Sequence, residues 1–150
     1  MKKVFFAIIL VFAFSGCTYT TVSDLEMQTI DVHVRASDWI YSDNPAGNNY
    51  FYAVVNMPEI TASVFDKGEV QAYRVYDKYT DNAFKHILPD VLHVKEVSNG
   101  NTFFYTTTVD CVYGVGWLEF NYRASDFAYE DNVNIAPAAM DFSIVVSAGY

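Results

Sequence analysis

The closing stretch Met140-Asp141-Phe142-Ser143-Ile144-Val145-Val146 puts an apolar side chain at every second position: Met140, Phe142, Ile144 and Val146. A period of two sorts side chains onto opposite faces only in an extended strand, so this chain is constrained to build sheets. Near the other end of the chain, Ile30, Val32 and Val34 alternate with Asp31, His33 and Arg35 in the same way. Tyr50 to Met57 is apolar in both phases, which predicts a strand near the middle of a sheet. Glu69 to Tyr76 and Phe84 to Leu88 read as further strands, the latter ending at Pro89. Val91–Val97 and Thr102–Cys111 flank Ser98-Asn99-Gly100-Asn101, and Asn-Gly between two β runs is a strong hairpin signal. Gly114-Val115-Gly116 predicts a turn or bulge before the strand Trp117–Arg123. That strand has Trp117, Glu119 and Asn121 on one face and Leu118, Phe120 and Tyr122 on the other. Ala139–Ala148 closes the chain.

One segment breaks the period. Between Pro58 and Gly68, Ile60, Val64 and Phe65 fall on one helical face, which predicts a short helix near 59–67. Gly68 sits where a left-handed C-terminal residue belongs. The polar stretches 42–49, 77–82 and 124–137 read as loops. The fold class is therefore all-β: a two-layer antiparallel sandwich, immunoglobulin-like, of seven or eight strands with one short helix, and a barrel as the alternative. Its expected span is residues 30–150.

The first residues do not belong to that pattern. Met1-Lys2-Lys3 precedes Val4–Phe14, eleven residues without a charge. As a helix, such a run reaches roughly 16 Å, about half of a hydrocarbon core. A short basic region followed by a short apolar one is instead the form of an export signal, assigned to residues 1–16. Phe14-Ser15-Gly16-Cys17 resembles a bacterial lipobox, although Phe14 stands where the usual motif has leucine. The resemblance implies that Cys17 is acylated and becomes the new N-terminus. Several acyl chains on one residue anchor stably where one alone is marginal. The alternative is an ordinary secretory signal with Cys17 free or cross-linked. Residues 17–29, polar and aperiodic, read as a tether.

Removing residues 1–16 leaves 134 of 150 residues, about one domain. It also removes Lys2 and Lys3, so seven basic residues face 18 acidic ones and the net charge becomes −11. Such a surface offers nucleic acid no electrostatic footprint. Anionic lipid would repel it, so the acyl chains must supply the membrane anchor. With Cys17 used by the anchor, Cys111 stands alone and no disulfide framework exists. Its neighbours Val109, Asp110 and Val112 give it neither a base nor a positive field, so it is expected to be a buried apolar residue and not a nucleophile.

Chemical motifs are sparse. His33, His86 and His93 lack zinc spacing, and His33 and His93 sit in alternating strands as solvated or satisfied side chains. Asp126, Glu130 and Asp131 lie close in sequence, as do Asp38 and Asp43, but without EF-hand spacing they read as solvated loops and not a calcium site. No Gly-x-Ser-x-Gly elbow is present. No catalytic residue, cofactor or metal is expected. Arg35-Ala36-Ser37-Asp38-Trp39 is echoed by Arg123-Ala124-Ser125-Asp126-Phe127, a shared way of leaving a strand in which Asp turns the chain and the aromatic plugs the sandwich end. Aromatic side chains stack on sugars and dominate interfaces. Trp39 and the loop-borne Tyr79 and Tyr129 are the candidate ligand-binding residues.

The Cys17 motif, Ala36-Ser37-Asp38-Trp39, Met57-Pro58-Glu59-Ile60-Thr61 with Val64 and Gly68, Leu88-Pro89, and Phe142-Ser143-Ile144-Val145-Val146 occur together in that order. The combination resembles a group of small uncharacterised lipoproteins of Bacteroidetes-type bacteria. That resemblance implies an exported β-sandwich and no known activity. The expected role is a non-catalytic binding or adhesion module, anchored to the outer membrane on its periplasmic or surface face, with a glycan or an envelope protein as partner. The alternatives are a structural or accessory subunit of an envelope assembly, joined through a sheet edge, and a small hydrolase.

Overall fold

The computed structural model describes residues 27–42, 50–98, 100–125 and 137–148. Among them nine strands form two antiparallel sheets with one short helix. The strands are β1 (Met27–Val34), β2 (Ile40–Ser42), β3 (Tyr50–Met57), β4 (Glu69–Tyr76), β5 (Phe84–Ile87), β6 (Asp90–Ser98), β7 (Asn101–Gly114), β8 (Gly116–Ala124) and β9 (Met140–Ser147), and α1 spans Ala62–Lys67. One sheet has the order β1-β9-β4-β5 and the other β2-β3-β8-β7-β6.

The alternation read from the sequence becomes the core. Met140, Phe142, Ile144 and Val146 of β9 are all buried, with Val32 and Val34 of β1 beside them. Opposite lie Phe51, Ala53 and Met57 of β3, Leu118 and Phe120 of β8, and Val109 of β7. Phe120 and Phe142 stack across the two layers at 3.8 Å between ring centroids, 16° from parallel. Each such side chain contributes about 2–3 kcal/mol by leaving water.

Several boundaries differ from the sequence reading. β1 starts at Met27, paired with Ser147, three residues inside the expected tether. The three-residue β2 is an additional strand, too short to show a period. It covers only Tyr50–Tyr52 of β3, so β3 is central over part of its length alone. The helix begins at Ala62, capped by Thr61, whose Oγ1 accepts from Val64 N at 3.3 Å. Gly68 is not left-handed, since its φ is −90°. A Cβ there would lie 2.3 Å from Ser147 O and 2.9 Å from the Val64 backbone, so close approach requires glycine. Gly114-Val115-Gly116 is a tight turn with Gly116 at φ +84°, and Gly100 in the β6–β7 turn lies at +79°.

The registers give the sandwich two distinct ends. Met27, Ser147 and Glu69 lie side by side at one of them. Met57 pairs with Gly116, and Gly116 N donates to Ile60 O at 2.8 Å, so α1 and the β7–β8 turn share this end. Val34, Tyr76, Phe84, Tyr50 and Ala124 lie toward the opposite end.

Candidate functional site

The connections β2–β3, β4–β5 and β8–β9 leave and return at the second end, because β3, β5 and β9 begin there and β2, β4 and β8 finish there. The loops expected to carry recognition, 42–49, 77–82 and 124–137, are therefore gathered at one pole, opposite Met27. Residues 43–49 and 126–136 lie outside the described residues. Loops on a rigid β scaffold are where recognition is commonly built.

The described chemistry at this pole centres on Asp90. Arg74 and Tyr76 keep the inward phase of Val70 and Ala72 on β4 and pair with His86 and Phe84 of β5. There the phase that fills the core turns polar. Asp90, at the crossing from β5 to β6, is 3% exposed. It accepts from the Tyr76 hydroxyl, from Arg74 Nη1 at 3.2 Å and from His86 Nδ1 at 2.9 Å. A carboxylate only accepts, so His86 donates through Nδ1. Phe84 stacks on Tyr76 at 4.9 Å and 9°, and the Arg74 guanidinium lies 4.6 Å from the Tyr76 ring centroid. Burial raises the carboxyl of Asp90, but hydrogen bonds from Tyr76 and His86 and the Arg74 charge outweigh it, and its pKa lies below the ordinary value. Burial, followed by the hydrogen bond to Asp90, pushes the Tyr76 phenol up to about 12.

A second polar network covers the outer face of the four-stranded sheet. Lys78 reaches Asp31 at 3.3 Å and Asp141 at 3.6 Å, and His33 Nδ1 donates to Asp141 at 3.0 Å. Lys85 Nζ donates to the buried Ser143 Oγ at 2.9 Å. Tyr79, next to Lys78, is 87% exposed. The Asp77–Ala83 loop that presents it is fixed by Thr80 N to Asp77 O at 2.9 Å, Ala83 N to Thr80 O at 3.2 Å and Asn82 N to Thr80 Oγ1 at 3.2 Å. Two shallow hollows open to solvent. One of about 530 Å³ lies between Arg35, Asp38 and the part of β3 that β2 leaves uncovered. The other, about 500 Å³, lies between His93, Lys95, Phe104 and Ser125.

The residues singled out from the sequence are dispersed. Trp39 is 6% exposed and packs in the core, 6.4 Å from Tyr122, so its ring offers no open stacking face. It plugs the sandwich, as the Arg35–Trp39 echo implied. Asp38 accepts from Arg35 N at 2.9 Å and Arg35 Nε at 3.1 Å, which turns the chain before it. Tyr79 is exposed at the loop pole. Cys17 and Tyr129 lie outside the described residues, as do Asp43, Asp126, Glu130, Asp131 and Phe127. Among the described residues no group of three or more His, Cys, Asp or Glu side chains is placed to hold a metal ion. Cys111 is half-buried, and burial, with Asp110 adding, pushes its thiol up to about 11, which keeps it protonated at neutral pH. His93 Nδ1 lies 3.0 Å from Thr106 Oγ1.

The Asp90 group was not singled out from the sequence. Its signal was a charged residue in the core phase of a strand: Arg74 follows Val70 and Ala72 at intervals of two. Comparison with protein-family models, with curated proteins and with solved structures gives no match.

Proposed function

We propose that this chain is an exported lipoprotein, held on a membrane through acylated Cys17, and that it is a non-catalytic binding module whose loop pole takes the ligand. The observation that carries this reading is polarity. Three polar connections and the exposed Tyr79 occupy the end opposite Met27, where the chain from Cys17 joins the domain. An eight-residue strand at 3.3 Å per residue holds that pole roughly 26 Å beyond Met27. The resemblance to Bacteroidetes-type lipoproteins supports the outer membrane as the location. A hydrolase is the weaker reading, because Cys111 is held protonated and both hollows stand open to water.

Glycan arrays and quantitative capture of envelope proteins on the full chain test the module. The expected result is a retained ligand that Tyr79→Ala releases. Silence in both assays, or a ligand indifferent to every change at the loop pole, would overturn the reading. A structural subunit is favoured by one feature alone: β6 is an open sheet edge of nine residues. It requires a stoichiometric partner whose binding survives Tyr79→Ala.

A further inference from the structure

The pole where Met27 begins the first strand has a different surface. Met27 is 65% exposed, Phe65 50%, Val115 53%, Trp117 41% and Tyr113 37%. They are grouped around one corner. Phe65 and Tyr113 meet edge to face at 6.2 Å. The Trp117 indole leans across β7 over Gly114, where a Cβ would collide with it at 2.6–2.8 Å. Gly116 N holds the β7–β8 turn to Ile60, and Gly68 presses α1 against Ser147, the partner of Met27. Large apolar side chains exposed together at one corner cost solubility unless something covers them.

We infer that this corner rests on a bilayer surface, with Phe65, Val115 and Trp117 seated in the headgroup region. The occupant follows from the chain outside the structure. Nine residues, 18–26, separate Cys17 from Met27 and reach at most about 32 Å when fully extended. Any anchor at Cys17 therefore keeps this corner, and not the loop pole, next to the lipid. In this respect the inference rests on the anchor reading. The side chains suit the place, since Trp and Tyr favour the membrane–water boundary and Phe and Val its apolar side. Among the described residues no helix is long and apolar enough to cross the membrane. The contact is interfacial. Asp66 and Glu69 flank Lys67 at this end, and the whole chain carries −9, so the fitting surface is zwitterionic lipid.

The test uses the full chain in phosphatidylcholine vesicles whose acyl chains are brominated, with the mass of the Cys17 peptide measured on the same sample. Of the two tryptophans, Trp39 is buried and serves as the internal reference. The expected result is a blue shift and quenching of the Trp117 emission, absent from Trp117→Phe and largely lost in the Phe65→Ser/Val115→Ser double variant. Because Trp117→Phe could perturb the corner, iodide quenching of the wild-type chain is read as well and should fall when vesicles replace detergent. Equal iodide access in both media, with no quenching by brominated lipid, overturns the inference. If Cys17 is then acylated, the anchor reading survives that failure. If it is not, both fall. Quenching without acylation supports the lipid contact and overturns the anchor alone.

Discussion

The two poles of this sandwich solve the same problem in opposite ways. Each is a place where the sheets stop and the core meets water. At the loop pole the inward phase of β4 changes from Val70 and Ala72 to Arg74 and Tyr76, and a buried carboxylate collects their hydrogen bonds. At the Met27 pole no such change occurs, and Phe65, Val115 and Trp117 remain exposed. The outer face of the four-stranded sheet follows the first solution, with Lys78 between Asp31 and Asp141. The difference shows which end is finished against water.

The contrast can be broken most forcefully at Asp90. Asp90→Ala leaves the Arg74 guanidinium, 17% exposed, without its carboxylate and should cost about 3 kcal/mol in urea unfolding. An unchanged midpoint would mean that the loop pole is not held by this ion pair. The next largest effect is expected at the other pole, where Gly68→Ala drives a methyl into Ser147 O and should cost about 2 kcal/mol by forcing α1 off β9. Thr61→Ala, which removes the N-cap of α1, should cost about 1 kcal/mol by the same measurement.

Acid sharpens the comparison. The Asp90 pKa is depressed on folding, so its contribution is complete above the unfolded carboxyl value near 4 and is lost as pH falls through the lower folded value. Urea midpoints taken downward from pH 5 should therefore fall less in Asp90→Asn than in the wild-type chain. In the alkaline direction, Tyr76 titrates at about 12, so the ultraviolet phenolate signal above pH 11 should shift downward in the Asp90→Asn variant. The smallest effect expected is kinetic. Cys111, with its thiol raised to about 11, should react slowly with a disulfide reagent at pH 8 and speed up on unfolding.

Much of this architecture was legible because period-two alternation survives wherever a strand has one wet face. β9, β1 and the β6–β7 hairpin were visible for that reason, and β4 was found to the residue. β2 was not, because three residues contain no period. Gly68 was misread because a left-handed cap and a steric gap both demand glycine, and only the neighbouring Ser147 distinguishes them. Trp39 looked like a loop aromatic because its burial depends on Tyr122, more than 80 positions away in the chain. The Asp90 group escaped for a similar reason. Its members come from three strands, and sequence spacing brings none of them together.

The position of β9 has a consequence in time. The last strand of the chain lies between β1 and β4, so the first strand has no partner until residues 140–147 arrive. Before then only the β4–β5 hairpin of that sheet can form, and the rest waits on contacts spanning more than 100 residues. Such non-local closure is slow. A growing or translocating chain of this design remains a thread until its final residues are released, and it then locks its two termini together in one late step.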